Sequence, residues 1–414
     1  MMQGFAINSE RLLARLQHFA AIGGTEKGGV NRQALTALDR EARRLLAKLA
    51  RERGFVVFQD PIANLFIRRE GKNPDLPPLL IGSHLDSQPA GGKFDGALGT
   101  LAAFEVLETL EDQEIATERA VEVVAFTNEE GCRFAPGCMG SLAFAEAAIP
   151  DSWRDLKATD GAGFAEELAA TLDSLPEAQP RPLGFPVSAY LEVHIEQGPS
   201  LEHQGIPIGV VTGIQGTRWL DVVVTGQTAH AGTTALAYRR DPMLTVSQAL
   251  AELYASIMPG DAEARFTVGR ISCLPGAVNA IPDTVRLTVD LRHPSTAVLD
   301  INENLIRKTF ETHANVQGCG TAVTRIFDMA PAQFPEPLLA TLQEAASDCG
   351  FATAHLLSGA FHDALFLNRV APSAMIFVPC RDGLSHNEAE HVEPDHCIAG
   401  CQVLGAAVLR LATA

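Results

Sequence analysis

HLDSQPAGGKFDGALGT, residues 84–100, follows an apolar run, Pro78-Leu79-Leu80-Ile81-Gly82, and leads into apolar residues at helical spacing from Leu98 to Leu110. The run reads as a buried strand of a sheet. A strand ending in His84, a glycine-rich loop carrying Asp86 and Asp95, and then a helix is one way to build a metal site at a strand's carboxyl end. Gly91, Gly92, Gly96 and Gly99 let the backbone turn tightly beside an ion. One such loop decides little alone, and three later segments supply its partners.

Residues 120–127 (AVEVVAFT) read as a second buried strand, which ends in Asn128-Glu129-Glu130-Gly131. Residues 189–195 (AYLEVHI) read as a third, carrying His194 and running into Glu196-Gln197-Gly198-Pro199. His386 lies in a later loop, Gly383-Leu384-Ser385-His386-Asn387. Each group falls just after an apolar strand or in a glycine-bearing loop, where open α/β sheets place ligands. Imidazole and carboxylate together suit zinc, and the same set tolerates manganese, cobalt or nickel.

Working outward, residues 9–23 and 31–54 read as amphipathic helices, the first capped by Ser9. Strands are expected at 55–58 and 64–68, and the Pro-, Gly- and Ala-rich residues 175–186 as a surface connection. After Gly213 the order changes to strand 218–225, helix 241–258, strands 264–271 and 284–291, helix 295–313 and strand 321–327. That β-α-β-β-α-β series is a split βαβ sandwich. It marks residues 213–328 as an α+β domain inserted into an α/β domain made of 1–212 and 329–414. Helices at 336–349 and 395–411 flank a last strand at 374–378.

The 414 residues leave room for two domains with a sizeable core, and 46% hydrophobic with 20% charged residues is ordinary for a globular enzyme. A formal net charge of −18 argues against nucleic acid or an anionic membrane as partner. The eight cysteines lack paired spacing and read as reduced thiols, so a cytoplasmic location is expected. No apolar run reaches membrane-spanning length, and the first residues do not read as a leader.

The motifs GSHLDSQPAGGKFDG, TNEEGCRFAPGCMGS, YLEVHIEQGP, VVTGIQGTRW, AHAGTT and LSHNEAE resemble the amidase, hydantoinase and carbamoylase branch of the dinuclear metallopeptidase-like hydrolases. The resemblance runs from about residue 5 to the end. It implies a metallopeptidase-like α/β catalytic domain, with the inserted domain as a lid and dimerisation module. It implies two divalent ions per subunit: His84, Asp95 and His194 as ligands, Asp95 bridging, and Glu130 and His386 on the second ion. It makes Glu129 the general base, and His230 the group that polarises the substrate carbonyl, across a dimer interface in some relatives.

Asn279 and Gln197 resemble substrate contacts. Arg292, ending the apolar strand TVDLR, could clamp a substrate carboxylate bidentately or form an ordinary surface ion pair. Asp86 is placed to hold the other nitrogen of His84, or to make loop hydrogen bonds of its own. Relatives read Ser-Gly-Ala-Gly-His-Asp-Ala where this chain has Ser358-Gly359-Ala360-Phe361-His362-Asp363-Ala364. Gly359 and Phe361 therefore bear on the substrate side chain, and His362-Asp363 reads as a hydrogen-bonded pair.

The expected activity is metal-dependent hydrolysis of the ureido C–N bond of an N-carbamoyl-L-amino acid, giving the amino acid, carbon dioxide and ammonia. β-Ureidopropionase, allantoate amidohydrolase and a plain amidase are the alternatives within the family. A catalytically idle binder of small amides is the alternative outside it, and the filled ligand and base positions argue against that.

Overall fold

The structure is a computed structural model that describes residues 5–413. The chain separates into two compact units, one running up to Thr212 and resuming at Gln333, the other Gly213–Ala332. The second junction lies beyond Asp328 because the strand Gly320–Met329 carries the inserted unit past that residue.

In the first unit four parallel strands lie side by side in the order Ser373–Val378, Ala189–Ile195, Leu79–His84 and Val121–Phe126. They form the centre of a ten-stranded sheet. Every residue of the four is buried, which is why they read as nearly unbroken apolar runs. Antiparallel strands extend the sheet: Leu65–Arg69 on one side and Ile208–Ile214 on the other.

The register sets His84 opposite Phe126 and His194 opposite Phe377, so the carboxyl ends finish at one edge. From Leu79–His84 the chain passes to its neighbour Val121–Phe126, then returns on the other side as Ala189–Ile195. That reversal opens a crevice at the strand ends.

Several boundaries differ from those read in the sequence. Asn8, not Ser9, caps the first helix, its side chain accepting from Arg11 N at 3.0 Å. The second helix begins only at Ala37, capped by Thr36. Ahead of it Arg32 is buried and donates to the carbonyls of Phe19, Ile22 and Leu85, which holds that stretch out of a helix. Strands Ile208–Ile214 and Thr353–Ser358 were not foreseen, since short runs broken by glycine or polar residues give little periodicity.

The inserted unit has four antiparallel strands in the order Arg265–Leu274, Thr284–His293, Gly216–Thr225 and Gly320–Met329. Helices Pro242–Ser256 and Thr296–Gln317 complete the β-α-β-β-α-β order. Val222, Leu287 and Phe266 of the sheet share a core with Val246, Leu253, Ile306 and Phe310 of the helices. A ribbon pairs Ala229–His230 with Ala280–Ile281.

One buried ion pair secures the approach to the strand ends. Arg43 is fully buried and bonds Asp39 at 3.0 and 3.1 Å, the Ala63 carbonyl at 2.6 Å and Thr127 Oγ1 at 3.2 Å. Thr127 begins the turn that presents Glu129 and Glu130. Arg43→Met would strand the Asp39 carboxylate in the core, an uncompensated buried charge. Denaturant unfolding should show a loss of about 3–5 kcal/mol, against no more than about 0.5 kcal/mol for exposed Arg44→Met. Equal effects at the two positions would contradict this account.

Candidate metal centre

Three strand ends and two loops bring five metal-binding side chains together. The ligand atoms of His84, Asp95 and His194 lie within 4.8 Å of one another, as do those of Asp95, Glu130 and His386. Asp95 belongs to both sets, and its two oxygens divide them. Oδ1 lies 3.0 Å from His194 Nε2 and 3.7 Å from His84 Nε2. Oδ2 lies 3.4 Å from His386 Nε2, which is itself 3.3 Å from Glu130 Oε2.

The imidazoles are oriented from behind. His84 Nδ1 donates to the Asp86 carbonyl at 2.9 Å, and His194 Nδ1 to the Ile195 carbonyl at 3.0 Å. A carbonyl only accepts, so these bonds fix both rings with Nε2 facing Asp95. Gly96, at φ 63°, makes room for this: a Cβ there would stand 2.3 Å from the His84 ring.

Asp86 departs from its expected part. Its carboxylate is 3.7 Å from His84 Nδ1, beyond hydrogen-bond reach, and its backbone oxygen takes that contact. The carboxylate instead accepts the backbone N–H groups of Glu129 and Glu130, each at 3.3 Å. It fixes the turn that carries both glutamates, and burial pushes it up to about 7.

Charge and burial set the protonation. Burial would raise Asp95, but His194, His84 and His386 hold it well below the usual carboxylate range. Burial lowers His84 to about 4. His194 rises to about 9 despite its burial, because Asp95 is closer to it. Glu129 is raised by burial first, then by Asp363, Glu130, Asp95 and Asp86. Glu130 is raised by burial and by Asp95 and Asp86, opposed by Gln88, which bonds both its oxygens at 3.1 and 2.7 Å.

These residues fit divalent metal ions. His84 Nε2 is buried and has no hydrogen-bond partner. Asp86, Asp95, Glu129 and Glu130 crowd together, and among the described residues their ion pairs are with histidines only. Such a set of buried oxygens and imidazole nitrogens needs cations to be stable. Two triads sharing one carboxylate make the arrangement that of a dinuclear centre.

Around the triads, Glu129 Oε2 lies 3.6 Å from His84 Nε2, and the Cys138 thiol donates to Oε1 at 3.6 Å. Gln197 Nε2 donates to Asp95 Oδ2 at 3.0 Å, while its Oε1 is buried without a partner. The expected His362-Asp363 bond is not made. His362 Nε2 pairs with Ser358 Oγ at 2.9 Å, and its ring lies 4.4 Å from that of His194. Asp363 is buried beside Glu192 and Ser141 and raises Glu129. Gly359 is exposed and Phe361 half-buried in the same loop. Sequence reading missed Ser385 and Glu390, whose polar contacts join the Asp95 loop to the His386 loop.

The remaining candidates belong to the inserted unit. His230 is exposed, and its Nδ1 accepts from Gly232 N at 3.0 Å, so Nε2 carries the proton. Asn279 is brought beside it, its carbonyl accepting from Ala231 N at 3.0 Å. Arg292 makes a two-point ion pair with Asp290, at 3.0 and 2.8 Å.

The sequence profile of Peptidase family M20/M25/M40 matches residues 80–410. The chain belongs to this family. It is 38% identical to N-carbamoyl-L-amino acid amidohydrolase of Geobacillus stearothermophilus, over 98% of this chain and 99% of that protein. With the ureidoglycolate hydrolase of Arabidopsis thaliana the identity is 30%, over 99% of this chain and 88% of the other. A solved amidase of the hydantoinase/carbamoylase family from Burkholderia multivorans superposes with a TM-score of 0.93 at 41% identity, covering 99% of each chain. The family match and these relatives put the chain in the hydantoinase/carbamoylase branch of M20 metallohydrolases.

Proposed function

We propose that this protein is a metal-dependent amidohydrolase that cleaves the ureido C–N bond of N-carbamoyl-L-amino acids. The observation that carries the reading is the pair of triads meeting on Asp95, with the Glu129 carboxylate facing the same space. When bound, the two ions supply electrophilic activation of the attacking water and of the ureido carbonyl.

The side chains do the rest. Glu129 takes the proton of the attacking water and delivers it to the leaving nitrogen, so that its own charge is restored each turnover. A carboxylate raised by burial is a stronger base for that task. Gln197 Oε1 accepts an N–H of the ureido group, and His230 Nε2 donates to the carbonyl oxygen. Asn279 and Arg292 recognise the substrate, Arg292 through its carboxylate. Phe361 narrows the space for the substrate side chain beside Gly359. The eight free cysteines are in keeping with a reducing, cytoplasmic location. Among the described residues no helix is long and apolar enough to cross a membrane.

Homodimerisation through the inserted unit is part of this reading. Of the exposed large hydrophobic residues among those described, all but Leu38, Val370 and Leu384 lie in that unit, including Trp219, Ile271, Leu274 and Ile326 on its strands. This concentration of exposed apolar residues in one unit, with Trp219 against Phe327 at 4.6 Å between ring centroids, supports association through it.

Substrate choice is read from one assay panel: N-carbamoyl-L- and D-amino acids, N-carbamoyl-β-alanine, allantoate and ureidoglycolate, with added manganese or zinc. The N-carbamoyl-L-amino acids should give the highest kcat/KM. In the same panel Arg292→Ala should raise KM, and Phe361→Gly should move preference toward bulkier side chains. A preference for allantoate or N-carbamoyl-β-alanine overturns the substrate assignment.

The two adjacent glutamates are separated by metal content. Glu129→Gln should lose turnover by roughly 10²–10⁴-fold and keep both ions. Glu130→Gln should lose one ion, because a neutral amide is a poor ligand for a hard divalent cation. The reverse pattern would exchange the two assignments. For assembly, sedimentation of the purified protein should give twice 44.2 kDa; a fully active monomer rules the dimer out.

A further inference from the structure

The two triads are held very differently. His84 and His194 are 1% exposed, locked at the ends of buried strands. His386 is 51% exposed, in a loop, at φ 52°. Little packing fixes it, so something else must keep its loop against Asp95.

Glu390 is placed to do so. It is 3% exposed, and its Oε1 accepts the backbone N–H groups of Phe94 at 2.9 Å and Asp95 at 3.1 Å. Its Oε2 lies 3.1 Å from Ser385 Oγ, which donates to Asp95 Oδ2 at 2.9 Å. Gln197 Nε2 supports the same corner, 3.1 Å from Ser385 Oγ. A turn closed by Glu390 N to the Asn387 carbonyl, 3.0 Å, folds Glu390 back over Ser385. The Asp95 loop is shaped to receive it: a Cβ on Gly92 would stand 1.9 Å from the Glu390 carboxyl carbon.

We propose that Glu390, acting with Ser385, is a positioning residue that clamps the His386 loop to the Asp95 loop and thereby sets the affinity of the second ion more than that of the first. The proposal rests on the assignment of Asp95, Glu130 and His386 as that ion's ligands. Glu390 touches neither ion nor substrate. It closes a connection between segments 295 residues apart, from which the bridging carboxylate and the exposed imidazole converge.

The geometry distinguishes two substitutions. Glu390→Gln keeps one oxygen for Phe94 N and Asp95 N, and its amide N–H reaches Ser385 Oγ, whose own proton stays on Asp95. Glu390→Ala removes all three contacts and strands two buried N–H groups.

Titration of metal-stripped protein with Mn²⁺, with bound metal counted after equilibrium dialysis, reads the ions separately from activity. Wild type should bind two ions per chain. Glu390→Ala should weaken the second by about 10–100-fold, the usual effect of losing a ligand's supporting partner, and the first by clearly less, since His84 and His194 stay locked in their strands. Glu390→Gln should bind both within about threefold of wild type, since its contacts survive. If Glu390→Ala does not fold, Gly92→Ala, whose methyl occupies the carboxyl's place, should show the same selective loss. Two ions bound at wild-type affinity without the clamp, equal weakening of both, or a loss in Glu390→Gln matching that in Glu390→Ala would each overturn the proposal. A wild type that takes one Mn²⁺, or a His386→Ala variant that keeps both, would instead overturn the underlying ligand assignment.

Discussion

A single buried carboxylate with its two oxygens facing opposite ligand sets organises this protein. Asp95 Oδ1 looks toward His84 and His194, and Oδ2 toward His386 and Glu130. Removing such a group from water is expensive unless positive charge surrounds it. His194, raised to about 9 and 3.0 Å away, takes that part in the structure, and the donor set fits divalent ions. The cost is shared with Glu129 and Glu130, both raised by burial and by neighbouring carboxylates, Asp95 and Asp86 among them.

The fold makes that concentration of charge possible by rigidity. Four parallel strands buried on both faces end in register, so side chains from distant parts of the chain arrive at one edge. Behind the edge, polar groups are tied into the backbone. Arg43 holds Thr127, Asp86 holds the N–H groups of Glu129 and Glu130, and carbonyls fix the His84 and His194 rings. These contacts act on orientation rather than on binding itself. They aim the ligand atoms of both triads at the space around Asp95.

Much of this was readable in the sequence, for a physical reason. His84, Glu129-Glu130 and His194 each close an apolar run, and a charged group there has few structural uses. The β-α-β-β-α-β order of the insert was likewise plain, because its strands and helices keep their own periods. Other parts were not legible. Whether the carbonyl or the carboxylate of Asp86 meets His84 depends on the loop's path, which side-chain type does not encode. Glu390 sits in a polar stretch, where a glutamate ordinarily faces water, and only the folded chain puts it against Gly92. Arg32 and Arg43 lie in a stretch that reads as an amphipathic helix, where arginine is expected outside. Arg292 meets Asp290 because residues two apart share one face of a strand, an ion pair that spacing alone left open.

The central claim is that Asp95 bridges two ions. Its most direct test is anomalous diffraction from crystals of the wild-type protein loaded with Zn²⁺. The account predicts two peaks about 3.5–4 Å apart, one beside His84 and His194 and the other beside Glu130 and His386, with one Asp95 oxygen directed at each. A single peak at saturating metal, or two peaks that do not share Asp95, would contradict it.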